Sequence, residues 1–158
     1  MIVPRVEPLI VRMGPAPALQ LSHLVLDFNG TLARDGELLP GVQRRLVRLA
    51  RRLQVHVLTA DTFGSAMVAL RDLPLSVHTV ETGSEKRLFV TVRRRVVAVG
   101  NGQNDIPMMR SASLGIAVLG PEGLCTELLR VADVIVTSIT DALDLLLEPR
   151  RLTATLRP

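Results

Sequence analysis

The chain has 158 residues, 47% of them apolar, and 19 Lys and Arg against 15 Asp and Glu give it a net charge of +4. That length suits one domain over 1–158, and the basic excess argues for solubility and the steering of anions, so no nucleic-acid partner is expected. A lone Cys125 excludes an internal disulfide, and Pro4, Pro8, Pro15 and Pro17 break the start, so that neither a signal peptide nor a membrane span is expected; the expectation is a soluble, cytoplasmic protein.

In chain order, residues 1–22 are rich in proline and predict an irregular arm or edge strand. The first buried strand is predicted at His23 to Asp27. A helix comes next in which Val42, Leu46, Leu49, Ala50 and Leu53 recur at helical spacing, while Arg44, Arg45, Arg48, Arg51 and Arg52 form a solvated face. A strand at Val55 to Thr59 leads to a second helix with Phe63, Ala66, Met67 and Leu70 as its apolar stripe. The next strand, Ser76 to Val80, precedes a third helix that opens near Ser84 and buries Leu88, Phe89 and Val92. The remaining strands are predicted at Val96 to Gly100, Gly115 to Leu119 and Val134 to Thr137. Between and after them the pattern predicts helices carrying Ile106, Met109 and Ala112, then Leu124, Leu128 and Leu129 with Cys125 as a small buried neighbour, then Ala142 to Leu147. Regular alternation of this kind predicts a three-layer, Rossmann-like α/β fold, its mostly parallel sheet covered by helices on both faces.

Right-handed crossovers gather the strands' carboxyl ends, and the loops after them, on one edge of the sheet, where open sheets bind ligands. Four of those loops carry unusual content. Asp27-Phe28-Asn29-Gly30-Thr31-Leu32 places a carboxylate over the edge, with a glycine turn whose backbone N–H groups suit an anion. Thr59-Ala60-Asp61-Thr62 offers a hydroxyl donor to a phosphate oxygen, and Asp61 or Thr62 serves equally well as a helix N-cap. Lys86 is the single lysine among 19 basic residues, a compact charge retained in a chain otherwise committed to arginine. Gly100-Asn101-Gly102-Gln103-Asn104-Asp105 supplies two glycines for a sharp turn and hard oxygen ligands suited to Mg²⁺.

Taken in order, these loops resemble the four motifs of the haloacid-dehalogenase-like (HAD-like) superfamily: a nucleophilic Asp, a Ser or Thr after the second strand, a Lys, and an acidic glycine loop. Thr59-Ala60-Asp61 and Gly100 to Asp105 look most like the corresponding strings of P-type ATPase phosphorylation domains and their small soluble relatives. The resemblance implies that Asp27 attacks phosphorus and that Asp27, the backbone carbonyl of Asn29, Asp105 and Asn101 hold Mg²⁺. It also implies that Asn29, Gly30, Thr59, Ala60, Lys86 and Asn104 surround the phosphate of a small phosphorylated substrate or nucleotide.

Two residues depart from the family pattern. Asn29 stands where family phosphatases carry the Asp that protonates the leaving group, and general acid–base help is commonly worth about 10²–10⁴-fold. Good leaving groups are therefore expected to react and ordinary alkyl esters to react slowly. Asn101 stands where the family usually has Asp, which removes a negative charge from the cation site. Both lie in Asn-Gly steps, which are prone to deamidation. The 32 positions from Asp27 to Thr59 and the 27 from Thr59 to Lys86 leave space for a flap around Arg34 to Pro40 but not for an inserted cap, so an open site, with a homo-oligomer as one way of covering it, is expected. Beside the phosphohydrolase, two alternatives stay open: a non-catalytic phosphate-binding module, and a soluble ATPase related to P-type phosphorylation domains.

Overall fold

Alternating apolar residues around a Gly-Pro turn pair the start of the chain with itself. The structure, a computed structural model, describes residues 6–61 and 64–158. In it β1 (Leu9–Met13) and β2 (Ala16–Leu21) form an antiparallel hairpin, with Leu9, Val11 and Leu21 buried beneath it. Over the described residues the predicted arm is thus a separate two-stranded sheet; residues 1–5 of it lie outside them.

The central sheet begins with β3 (His23–Asp27), whose Leu24, Val25 and Leu26 are wholly buried. A small hairpin of β4 (Ala33–Arg34) and β5 (Glu37–Leu38) occupies the predicted flap, and α1 (Val42–Leu49) returns the chain. The crossovers continue through β6 (Gln54–Thr59), α2 (Ser65–Ala69), β7 (Ser76–Thr79), α3 (Gly83–Thr91), β8 (Val96–Gly100), α4 (Ile106–Ser111), β9 (Leu114–Val118), β10 (Val134–Val136), α5 (Ile139–Leu147) and α6 (Pro149–Leu156). All six main strands are parallel, in the order β10-β9-β8-β3-β6-β7. The chain runs outward from β3 to β7, then returns to the other flank of β3 with β8. The crevice between the carboxyl ends of β3 and β8 is therefore the topological switch point, where ligands bind in open α/β sheets.

Helices cover both faces, as expected. Val42, Leu46 and Leu49 of α1, Ala142, Leu143 and Leu146 of α5 and Leu152 of α6 share one large apolar cluster with Leu24, Leu26, Val97 and Val99 of the sheet. On the opposite face Val90 of α3 and Met108 of α4 pack against Val25, Leu58, Val96 and Ala98.

Several details differ from the sequence expectations. The arginine face is not uniformly solvated, because Arg45 donates to both carboxylate oxygens of Asp144, at 2.7 and 3.1 Å, and ties α1 to α5. α1 stops before Leu53, which is nonetheless buried. In α2, Ala66 is buried but Met67 is exposed, and Phe63 and Thr62 lie outside the described residues. α3 buries Lys86 and Val90, leaving Leu88 and Val92 exposed. Its side-chain cap is Thr82, which accepts from the Glu85 N–H, so the helix opens one residue before Ser84. The segment around Leu128 is a 3-10 turn, Thr126–Arg130, with Leu129 exposed and Cys125 only half-buried. Beyond α5, Pro149 at a first helical position starts α6, an element the apolar spacing did not reveal.

Candidate active site

Asp27 is the last residue of β3, so the strand's burial holds its carboxylate at the sheet edge. Lys86 reaches the same point from the first turn of α3, which the Thr82 cap fixes in place. The Lys86 ammonium donates to Asp27 Oδ1 at 2.8 Å and to Asp105 Oδ1 at 2.7 Å, and Lys86 is only 2% exposed. One ammonium between two carboxylates leaves a net charge of −1 in a buried space, which favours an added cation. Burial, then the neighbouring Asp105, pushes the Asp27 carboxyl up to about 6, against the opposing pull of Lys86 and of Thr31. Burial alone would lower the Lys86 ammonium, but the two carboxylates outweigh it and hold its pKa above the usual value.

Asp105 is fully buried with both oxygens taken. Its Oδ2 accepts from the backbone N–H groups of Asn101 and Gly102, each at 3.0 Å, while Oδ1 receives Lys86. A Cβ on Gly100 would collide with this carboxylate, so the glycine that ends β8 makes the close turn possible. The geometry makes Asp105 an anchor for Lys86.

Asn101 stands nearer the opening. Its Oδ1 lies 3.0 Å from the Thr31 hydroxyl, which is also 3.2 Å from Asp27 Oδ2, so these two oxygens flank one hydroxyl that can donate to either. Thr59, 5% exposed, accepts from the Asp61 N–H at 3.0 Å, which leaves its own O–H to donate into the site. Asp61 accepts from Ser65 Oγ and from the Ala66 N–H, both at 2.7 Å, so it bonds the first turn of α2, although the N-cap position is Gly64 and not Asp61; Thr62 lies outside the described residues.

Of the residues expected to form the site, all but Gly30 and Asp105 line one open cavity of about 430 Å³: Asp27, Asn29, Thr59, Ala60, Lys86, Asn101 and Asn104. Gly30 lies just beneath, with φ at +79°. Sequence reasoning missed two site residues. Thr31 belongs to the first motif loop but had no role assigned, although its hydroxyl bridges two of the loops. Glu122 lines the cavity from the loop after β9, and the rule that selected the other loops, inspection of the residues just past each strand, would have reached it.

The architecture is the HAD-like α/β fold, with no inserted cap among the described residues. The structure superposes on a chain described as a HAD family hydrolase from Streptomyces avermitilis with a TM-score of 0.67, 17% identity and coverage of 87% of this chain and 90% of that one. It superposes on 3-deoxy-D-manno-octulosonate 8-phosphate phosphatase from Moraxella catarrhalis, solved with magnesium and phosphate, with a TM-score of 0.65, 16% identity and coverage of 85% and 90%. A zinc-transporting PIB-type ATPase gives a TM-score of 0.62 and 25% identity over 74% of this chain, which spans 20% of that transporter chain. No family model matches the sequence. Two proteins of Methanocaldococcus jannaschii do: uncharacterized protein MJ0073 is 45% identical over 64 residues, 40% of this chain and 69% of that protein, and uncharacterized protein MJ0072 is 46% identical over 39 residues, 25% and 89% respectively. The chain belongs to the same family as these two archaeal proteins.

Proposed function

We propose that this protein is a divalent-cation-dependent phosphotransferase that takes a phosphoryl group onto Asp27. The observation that carries the reading is the buried Asp27-Lys86-Asp105 triad with its net negative charge at the mouth of an open polar cavity. The groups that would hold a cation are all oxygens: the Asp27 carboxylate and Asn101 Oδ1, which line the cavity, and the Asn29 backbone carbonyl that the family resemblance implies. Such a hard donor set suits Mg²⁺, with substrate phosphate and water completing the shell. When bound, the cation would offset the negative charge of the phosphate and of Asp27, which otherwise repel each other.

An Asp27 oxygen attacks phosphorus, the bond from phosphorus to the leaving oxygen breaks, and an aspartyl-phosphate forms on Asp27. Lys86 and the Thr59 hydroxyl neutralise charge on the transferring oxygens. Asp105 holds the Lys86 ammonium where it is needed. Because Asn29 carries no transferable proton, the leaving group must depart unaided. Acyl phosphates, aryl phosphates and nucleoside triphosphates are the substrates that suit this site, and water attack on the phosphoenzyme is slow. The test is turnover of acetyl phosphate and p-nitrophenyl phosphate with Mg²⁺ by wild type and Asp27→Asn. The variant is expected to lose essentially all turnover and all acid-stable phosphoenzyme, and unchanged rates would sink the mechanism.

The two Asn residues favour a second reading, a phosphate-binding module without chemistry. Its signature is tight binding of Mg²⁺ and phosphate together, with no turnover of any of these substrates.

A further inference from the structure

Asn101 holds two loops together in this site. Its side-chain amide donates to the Gly123 carbonyl at 3.2 Å, and its own backbone carbonyl accepts from the Cys125 N–H at 2.9 Å. These two bonds staple the Gly120-Pro121-Glu122-Gly123 turn, closed by the Gly123 N–H on the Gly120 carbonyl at 2.9 Å, against the loop after β8. An Asp at 101 has no hydrogen to donate and would set a carboxylate against the Gly123 carbonyl. The docked turn brings the Glu122 carboxylate over Gly30. A Cβ at Gly30 would collide with Glu122 Oε2 and would meet Asn101 Nδ2 at 2.8 Å, so both groups occupy the space above this glycine.

The charge inventory of the cavity points the same way. Three described carboxylates line it: Asp27, Asp61 and Glu122. Asp61 caps α2, and Asp105 lies buried behind Lys86 with both oxygens occupied. Glu122, which lines the cavity over Gly30 next to the Asn101 amide, is the remaining carboxylate.

We propose that Glu122 supplies, from the loop after β9, the second carboxylate charge for the divalent cation that Asn101 does not provide, and that Asn101 serves chiefly to dock that loop. The inference rests on the cation site described above and names a residue of that site which the four motif loops do not contain. Asn101 and Glu122 are then an exchange: the charge moves to a neighbouring loop, and the neutral amide that replaces it holds that loop in place. The exchange also explains why an anionic side chain can approach here, because a carboxylate at 101 would repel it.

The test is calorimetric titration of the metal-free protein with Mg²⁺ alone, so it does not depend on turnover. Glu122→Gln is expected to weaken Mg²⁺ binding by roughly 10-fold or more, in the range found when groups around a metal are altered. Asn101→Asp introduced into Glu122→Gln is expected to recover most of that loss, because the charge returns to the motif position. Glu127→Gln removes an exposed carboxylate from the next turn, outside the cavity, and is expected to change affinity by less than about twofold, as screening dictates for a distant surface charge. Since Glu122 is on a solvent-facing turn, the Glu122→Gln protein is expected to fold normally, and its melting temperature in EDTA checks this. Affinity unchanged by Glu122→Gln while Asp27→Asn abolishes binding overturns the Glu122 role and leaves the cation site standing. Equal losses in Glu122→Gln and Glu127→Gln overturn it too, as a mere net-charge effect. A wild-type protein that does not bind Mg²⁺ overturns both the site and the inference.

Discussion

Replacing Asp27 with Asn removes the group on which the proposed chemistry depends, and the same change is expected to make the metal-free protein more stable. A carboxyl that titrates at about 6 in the folded chain, against an ordinary 3.8, is ionised at neutral pH at a cost of about 3 kcal/mol in folding free energy. Asn keeps an oxygen to accept from Lys86 and carries no charge to bury. For a chain of this size 1 kcal/mol moves the midpoint by about 2–4 °C, so Asp27→Asn in EDTA at pH 7.5 is expected to melt roughly 6–12 °C above wild type. The pH dependence gives a second handle. Because the folded carboxyl holds its proton more tightly than the unfolded one, the Asp27 contribution is fully favourable below pH 3.8 and is lost as pH rises through 6. The advantage of the variant therefore grows over that window and at pH 5 is about half its value at pH 7.5. Thermal or urea unfolding in EDTA at the two pH values measures it, and saturating Mg²⁺ is expected to shrink the gap by stabilising wild type alone. A variant no more stable than wild type at pH 7.5, or an advantage that does not change with pH, would refute the charge argument.

Asn29→Asp is expected to restore a proton donor and raise hydrolysis of alkyl phosphate esters by up to about 10²–10⁴-fold, with much less effect on acetyl phosphate; equal changes for both substrates would show that residue 29 does not serve the leaving group. At the other end of the sheet, His23 Nδ1 lies 3.2 Å from His56 Nε2, and His56 Nδ1 lies 3.4 Å from His78 Nε2. Burial, aided by Arg93 and the two neighbouring rings, lowers His56 to about 4. The folded protein resists a proton that the unfolded chain accepts below about 6.5, so the His56 contribution is lost as pH falls from 6.5 toward 4, opposite in sign to that of Asp27. Relative to wild type, His56→Leu is therefore expected to gain stability as pH falls over that window, and a difference between the two that does not change with pH would count against the imidazole cluster.

The fold was legible because the inner parallel strands are buried on both faces and so read as unbroken apolar runs: Leu24 to Leu26, Val96 to Val99 and Ile116 to Val118 match the observed strands to within a residue or two. The shorter helices were less legible. In α3 the residues that face inward are Lys86, drawn in by two carboxylates, and Val90, with Phe89 packed beside them; a hydrophobic pattern cannot count a lysine as core, and its spacing points also to Leu88 and Val92, which are exposed. In the brief α2 the apolar spacing found Ala66 and Leu70, which are buried, but also Met67, which faces solvent. The Thr126–Arg130 segment has helical spacing but tightens into a 3-10 turn, with Leu128 alone reaching the core.

At the site, sequence located the loops better than it distributed the work among them. Asp27, Thr59, Lys86 and Asn101 converge because each lies just past or faces the carboxyl end of a parallel strand, and topology guarantees that those ends meet. What topology does not specify is which oxygen of a carboxylate remains available. Asp105 reads as a hard ligand in a glycine loop, yet Gly100 lets the chain turn so closely that the carboxylate is wholly buried, with the Asn101 and Gly102 N–H groups on one oxygen and Lys86 on the other. A residue so committed fixes a neighbour's charge more readily than it meets a ligand. The same reasoning bears on the residue at 101: its amide donates to the Gly123 carbonyl, which an Asp there would not do, and the loop so held carries Glu122 into the lining of the cavity. A motif thus records which positions meet, while the hydrogen-bond partners of each oxygen decide which of them is left to face a ligand.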